Sequence, residues 1–285
     1  MRYRATLVSA LLIRSVAPSA LFAQDAPPGF EWTNETELSF VSTSGNASST
    51  TFGMKNSMGA TMGLHEIEFE FGGVRASSET TTRRAIGTPT DFSIEETVNS
   101  ETTAENYFVR GRYDRSFDRG FLFAASGWSR NTFAGIDNRV QLALGVGQTF
   151  AETDNARFKA DFGLTYTYQD DVDVQEGADN NFGGWRISAE AMRSVSETTQ
   201  LESDLVIDNN VEALEDLRMD WTNSLSVSIN SSLALRTSFQ LLWDNKPALI
   251  RVPLEAADGT PAGVSVFTPS DEMDTVVNVT LVIRL

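Results

Sequence analysis

The chain has no cysteine and a single histidine, His65, among its 285 residues. Without cysteine it can form neither a disulfide framework nor a thiolate metal site. Basic residues are also scarce, because 22 Lys and Arg stand against 39 Asp and Glu, for a formal net charge of -17. An acidic chain lacks the basic patches that nucleic-acid binding needs, so nucleic acid is not expected as a partner.

Long apolar runs are missing as well. Mean hydropathy is -0.20, and no run approaches the roughly 18 residues that a membrane-spanning helix requires. A membrane-spanning β-strand gives a much weaker hydropathy signal, so this absence is still compatible with a transmembrane barrel.

The N-terminus has the composition of a signal peptide. Arg2 and Arg4 form a positive region, residues 5–13 are apolar, and residues 17–23 are rich in small side chains. We expect residues 1–23 to be removed, with cleavage after Ala20 as the alternative. A short leader over residues 24–30 would then precede a single domain over residues 31–285.

The predicted mature chain has alternating apolar and polar residues in place of long apolar runs. From Arg157 to Gln169, apolar and polar residues alternate strictly, which predicts a β-strand with one apolar and one polar face. About a dozen such segments occur, each about long enough to cross a membrane when tilted. Short connections alternate with longer ones, as periplasmic turns and external loops do. We therefore predict an all-β, 12-stranded antiparallel up-and-down transmembrane β-barrel with both termini in the periplasm.

Aromatic residues fall at both ends of the predicted strands. Amphipathic rings settle at membrane interfaces, so these positions predict two girdles. The external girdle comprises Tyr107, Tyr168, Trp185, Trp221 and Trp243, and the periplasmic girdle comprises Trp32, Tyr113, Phe121, Phe150 and Phe158. A soluble sandwich or lipocalin-like barrel also alternates, but the girdles and the signal peptide favour the membrane.

The predicted polar faces carry charges of both signs. Glu66, Glu68 and Glu70 face the lumen beside Arg110 and Arg112 of the next strand. A cross-strand charge ladder would satisfy such side chains, and rings of carboxylates would also favour cations. The full set of predicted lumen charges is Lys55, Glu66, Glu68, Glu70, Arg110, Arg112, Arg139, Arg157, Lys159 and Asp161.

Two long polar segments, residues 76–102 and 245–272, are predicted to be external loops because they are rich in Thr or in Pro and Gly. A third segment supplies the only weak metal-site candidates, which are Asp170, Asp171, Asp173 and Glu176. They lack the EF-hand spacing, so we interpret them as a solvated acidic loop, with a loose Ca²⁺ or Mg²⁺ site as the alternative.

A catalytic cluster is not evident in the sequence. His65 has no serine at the close spacing that a nucleophile and its base require. We therefore expect no enzymatic activity and no cofactor.

Four short motifs resemble those of a known family. They are TSGN at 43–46, FAGIDNR at 133–139, LALGVGQTF at 142–150 and DEMDTVVNVTLVIRL at 271–285. In this order they resemble the YdiY-like family of salt-induced outer-membrane proteins, a domain of unknown function. The resemblance implies an outer-membrane barrel in a Gram-negative bacterium and supplies no catalytic residue.

The sequence thus predicts an outer-membrane barrel that is either a narrow, weakly cation-preferring pore or a structural protein of the envelope under osmotic stress. The alternatives are an outer-membrane hydrolase and an adhesion protein that acts through its long external loops. Expected partners are outer-membrane lipid, lipopolysaccharide and the barrel-assembly machinery, which would recognise the terminal strand at residues 275–285. The oligomeric state stays open.

Overall fold

A computed structural model describes residues 29–43, 47–88, 91–173, 180–255 and 260–285. The predicted signal peptide and most of the predicted leader lie outside these residues. No helix in the described part of the chain is long and apolar enough to cross a membrane.

Twelve antiparallel strands of the described chain close into one barrel, which confirms the predicted fold class. Each strand pairs with its neighbours in chain order, and the first closes against the last. The barrel strands are β1 (Phe30–Thr43), β2 (Ala47–Met62), β3 (His65–Thr88), β4 (Asp91–Phe117), β5 (Gly120–Asn131), β6 (Ile136–Thr153), β7 (Ala156–Asp171), β8 (Asn181–Ser194), β9 (Thr199–Asn210), β10 (Leu217–Ser228), β11 (Leu233–Asp244) and β14 (Met273–Arg284).

The two segments predicted to be loops contain strands, so that part of the prediction was wrong. Residues 76–102 continue β3 and β4 as one long hairpin, separated from the barrel wall by a bulge between Ala76 and Ser77. Residues 245–272 contain β12 (Leu249–Glu255) and β13 (Pro261–Pro269), which form a separate two-stranded sheet. Both segments lack alternation because neither face of a projecting hairpin has to be apolar, while their Thr and Val residues suit strands.

The connections differ between the two ends of the barrel. Residues 63–64, 118–119 and 154–155 are tight two-residue turns, and they lie at the end of the barrel where β1 begins, at Phe30, and β14 ends, at Arg284. Positive φ angles at Gly63 (61°) and Asp118 (54°) allow the reversals. The long hairpins project from the opposite end.

The barrel is apolar outside and polar inside. Leu144 and Leu164, at the outward positions of β6 and β7, are 66% and 67% exposed. Thr167 and Ser226, at inward positions, are each 1% exposed. A soluble barrel has the reverse arrangement, so this exterior is a surface for lipid to cover.

Candidate functional site: the charged lumen

Two phenylalanine rings occupy the lumen on one wall. Phe121 and Phe123 of β5 are each 4% exposed, so the prediction of Phe121 in the periplasmic girdle was wrong. Gly145, Gly147 and Gly163 of the two following strands leave room for the rings. A Cβ on Gly145 would lie 2.6 Å from Cε1 of Phe123, and one on Gly163 would lie 2.8 Å from its Cζ. The glycines of β6 therefore leave the space that the inward-facing rings occupy.

Arg112 lies over this aromatic pair. Its Cζ is 4.3 Å from the centroid of the Phe123 ring, which is cation–π geometry. Its Nε donates to Asp114 at 2.7 Å and its Nη2 donates to Asp161 at 2.9 Å. The register places Glu68 directly opposite Arg112, as a ladder requires, yet the guanidinium pairs with the two aspartates instead.

Lys55 and Glu70 form the second lumen pair, at 3.0 Å. Ser57 also donates to Glu70, at 2.9 Å. Arg110 stands opposite Glu70 in the register, but its guanidinium lies over the ring of Phe108 instead, 4.8 Å from the centroid. The predicted residues therefore share the lumen face, while their partners differ from a simple ladder.

Two carboxylates in the same region have no ion pair among the described residues. Lys159 pairs with Glu190 at 2.9 Å. Glu68 lies within electrostatic range of both these groups, and Asp204 lies within range of Glu190 and Glu202. Glu68 and Asp204 are thus lumen carboxylates that no cation of the described chain holds at ion-pair distance, although Lys159 and Arg112 act on Glu68, and Lys55 acts on Asp204, from farther away.

A tighter cluster bridges the first and last strands, and we call it the seam clasp: Arg236, Glu35, Glu37, Thr280 and Arg284. Arg236 contacts Glu35 at 2.6 Å and Glu37 at 2.7 Å. Thr280 donates to Glu37 at 3.1 Å, and Arg284 contacts Glu35 at 2.9 Å. Because Arg236 and Glu37 are each only 9% exposed, these charges are compensated by one another rather than by solvent.

Further ion pairs lie toward the end with the long hairpins. Arg186 binds Asp208 through two hydrogen bonds of 2.8 Å each. Arg218 lies between Asp216, at 3.0 Å, and Asp244, at 3.1 Å. The predicted set of lumen charges did not include these groups or the seam clasp. Most of them lie at the polar positions of strands, where a period of two places them, whereas Asp216 lies in a connection between strands.

The remaining predicted lumen charges also sit at inward positions. Arg139 donates to Gln169 of β7 twice, at 2.8 and 2.6 Å. Glu66 stands opposite Asp114, and Arg157 stands opposite Glu152.

The metal-site candidates are not brought together as ligands. Asp170 accepts hydrogen bonds from Tyr168 and Asn180, and Asp171 accepts one from Gln169. Asp173 accepts the backbone N–H of Arg251 at 2.8 Å. Glu176 lies outside the described residues, and no group of three or more potential ligands occurs within them.

The predicted girdle aromatics other than Phe121 face outward, eight of them by the strand register and Phe150 from a bulge between Thr149 and Ala151, where it is 57% exposed. Several have specific partners: Nδ1 of His65 is 2.7 Å from the hydroxyl of Tyr113, and the rings of Phe150 and Phe158 are 5.6 Å apart. The outward-facing members are Trp32, Tyr107, Tyr113, Phe150, Phe158, Tyr168, Trp185, Trp221 and Trp243.

A closed barrel with an apolar exterior, outward-facing aromatics and an ionic interior is an outer-membrane β-barrel. The family model described as "Protein of unknown function, DUF481" matches residues 36–249. The chain therefore belongs to that family, which confirms the resemblance seen in the sequence. No curated protein matches the chain.

Solved structures with coarse similarity include three outer-membrane proteins. An anion-selective porin from Comamonas acidovorans has a TM-score of 0.39 and 10% identity, covering 90% of this chain and 99% of its own. The outer-membrane channel DcaP of Acinetobacter baumannii has a TM-score of 0.35 and 8% identity, covering 90% of this chain and 96% of its own. OmpT of Vibrio cholerae has a TM-score of 0.37 and 10% identity, covering 90% of this chain and 97% of its own. The overlap is coarse, so the membrane assignment rests on this barrel's own surface.

Proposed function

We propose that this barrel is a narrow pore for small hydrophilic solutes and that it prefers cations. The observation that carries the proposal is the pair Glu68 and Asp204, lumen carboxylates without an ion pair among the described residues. Nearby acids such as Glu70 and Glu190 are matched by lysines. Unmatched negative charge inside a low-dielectric wall attracts cations and repels anions.

The reach of the side chains supports a narrow passage. Asp204 of β9 lies within electrostatic range of Lys55 and Glu70, which belong to the opposite wall of the barrel. Arg112 spans two intervening strands to reach Asp161. A barrel of twelve strands falls between small barrels that side chains fill and large water-filled porins, so long charged side chains leave room only for small solutes.

The proposal includes no catalytic step. His65 contacts Tyr113, and its ring stacks on the tyrosine with a centroid separation of 5.9 Å. This pair faces outward beside the turn at residues 63–64, where an interfacial anchoring role fits better than hydrolysis. We also propose that the termini are periplasmic, that lipid and lipopolysaccharide surround the barrel, and that residues 275–285 are read by the barrel-assembly machinery.

Adhesion is the second candidate, because two hairpins project from the end opposite the termini. One is the extension of β3 and β4, and the other is β12 with β13. Projecting strands of this kind could present a binding surface while the barrel serves as an anchor.

Planar-bilayer conductance of refolded residues 24–285 in a KCl gradient tests the pore. We expect discrete current steps with a cation-selective reversal potential. Glu68→Gln and Asp204→Asn should each move that potential toward zero, whereas Glu212→Gln, which removes a charge from an exposed connection, should leave it unchanged. A folded barrel that never conducts would rule out the pore and direct attention to the projecting hairpins.

A further inference from the structure

The barrel closes unevenly between its first and last strands. Glu35–Leu38 of β1 pair with Leu281–Arg284 of β14. Farther from the termini, residues 39–42 of β1 and 277–280 of β14 would continue the same register. In the described chain these two stretches pair only with β2 and β11, on their other sides. We call the gap between them the seam opening.

An unpaired strand edge needs a polar environment. Within hydrocarbon, each unsatisfied backbone N–H or C=O costs several kcal/mol, so edges at membrane depth occur only where protein or water covers them. The seam opening joins the polar lumen to the exterior, so water from the lumen can satisfy its backbone groups. Hydration from the lumen is therefore what an open seam at this place requires.

The seam clasp limits this opening to one part of the seam. Next to the opening, Arg236 of the clasp reaches from β11 past β14 and contacts both Glu35 and Glu37 of β1. Val282 and Ala234, which are register partners in the same layer, are each 0% exposed. The base of the seam is among the most tightly packed parts of the barrel, so the gap above it is a bounded feature rather than a general weakness of closure.

The two sides of the seam opening have different chemistry. Three of its four outward side chains are apolar and highly exposed, Phe40 and Val277 at 69% and Val279 at 57%, and the fourth is Ser42. Three of its four inward positions carry small uncharged polar groups, Ser39, Asn278 and Thr280, and the fourth is Val41. A molecule in the opening would meet hydrocarbon on one side and polar groups on the other.

An apolar groove on the outer surface reaches Val277, one of the outward residues of the opening. Its volume is about 630 Å³, and it runs from Val277 at the seam past Phe239 and Leu225 to Leu201. Small or short polar residues on the intervening strands, among them Ser203 and Thr237, form its floor. The groove is suited to an acyl chain whose polar end lies in the seam opening.

We propose that the seam opening is a lateral portal through which a single-chain amphiphile with a zwitterionic head group passes between the lumen and the membrane. The acyl chain stays against the outward apolar residues, while the head group enters the lumen. Because the two arginines and two glutamates of the seam clasp compensate one another, they leave no charge of either sign for a net ion, so a head group without net charge, a zwitterion, fits this place better. The portal requires the barrel but does not require ionic conductance.

Disulfide trapping tests the geometry, and the natural chain provides a background without cysteine. The probe is Phe40→Cys with Val279→Cys, positions that would be partners if the seam were fully paired. The matched control is Leu38→Cys with Leu281→Cys, which are partners in the structure. A disulfide needs Cα atoms about 4.4–6.8 Å apart. In proteoliposomes the control should oxidise readily, whereas the probe should stay reduced yet react with a longer bis-maleimide.

Rapid disulfide formation in the probe would show a closed seam and overturn the proposal. Disulfide-linked dimers through position 40 or 279 would also overturn it, because they would mean that a second copy covers the strand edges.

Transport of fluorescently (NBD) labelled lysophosphatidylcholine between liposome leaflets, read by dithionite bleaching, tests the activity. We expect the natural barrel to accelerate it several-fold over protein-free liposomes. Bridging positions 40 and 279 with bis-maleimide should return the rate to the protein-free value, while a bridge between 38 and 281 should not. Lack of acceleration, or full transport in the bridged probe, would refute the portal. Conductance measured on the same samples reports separately on the proposed pore.

Discussion

Arg112 of β4 donates to Asp161 of β7 across two intervening strands, with 2.9 Å between Nη2 and Oδ2. The space beneath this pair is filled by Phe123, which itself needs the glycine floor of β6 and β7. Ion pair, ring and glycines form one unit. Asp161 is 7% exposed and Asp114 is 5% exposed, so Arg112 neutralises two carboxylates that solvent scarcely reaches.

Replacing this guanidinium should therefore destabilise the barrel strongly. For Arg112→Met we expect a loss of about 3–5 kcal/mol in the free energy of unfolding, because Asp114 and Asp161 would remain buried without a cation. Urea titration followed by tryptophan fluorescence measures the loss. Arg110→Met is the matched control on the same strand, since Arg110 is exposed, and its effect should stay below about 1 kcal/mol. Equal losses for the two variants would contradict this account.

The glycine floor gives a second prediction. A Cβ on Gly145 would lie 2.6 Å from Phe123 and 2.6 Å from the Cα of Gly163, so Gly145→Ala should cost about 1–3 kcal/mol through overpacking. Gly127 also faces the lumen, but its nearest neighbours would be 3.6 Å from a new Cβ. Gly127→Ala should be neutral or slightly stabilising, since alanine lowers the backbone entropy of the unfolded chain. The same urea titration compares the two, and a tolerated Gly145→Ala would show that both the Phe123 ring and the neighbouring backbone at Phe162 and Gly163 can shift.

The sequence predicted which residues face the lumen but not which of them meet. The side of the wall on which a side chain lies follows from the period of two. The predicted inward residues Lys55, Glu70, Arg112 and Asp161 all lie on the lumen side. Partner choice depends on strand stagger and on side-chain reach, neither of which a local pattern contains. Arg112 thus passes over β5 and β6 to Asp161 instead of pairing with Glu68, directly opposite.

Phe121 shows a second limit of the alternation rule. The rule identifies an apolar ring at a strand end with the lipid-facing side, because membranes are apolar. Here the ring is inward, and the missing side chains at Gly145 and Gly147 on the next strand are the signal that could have revealed it. Where glycines on the neighbouring strand leave room, an aromatic ring at a strand end faces the lumen and not the lipid.

The outward face should tolerate apolar residues and reject charge. Leu164, near the midpoint of β7, is 67% exposed. Leu164→Arg should cost about 2–4 kcal/mol if this surface lies in lipid. Leu214→Arg is the control, since Leu214 is equally exposed, at 73%, but lies in a connection between strands. Folding yield and urea unfolding in lipid vesicles would separate them, and an unchanged Leu164→Arg would place this face in water.

The β12–β13 hairpin should be dispensable for the barrel. Its strands pair only with each other in the described chain, and a hydrogen bond from Ser270 to Ala248 closes its neck. Asp173 holds the hairpin by a part-exposed ion pair with Arg251 at 3.7 Å, worth about 0–1 kcal/mol, and by a hydrogen bond from the Arg251 backbone N–H at 2.8 Å. Replacing residues 249–269 with a short Gly-Ser linker should therefore preserve heat-modifiable migration on gels and the urea midpoint, as should Arg251→Ala alone. If the shortened chain failed to fold, the hairpin would be part of the barrel's stability; if it folded and conducted but no longer bound cells, the hairpin would be the adhesive element.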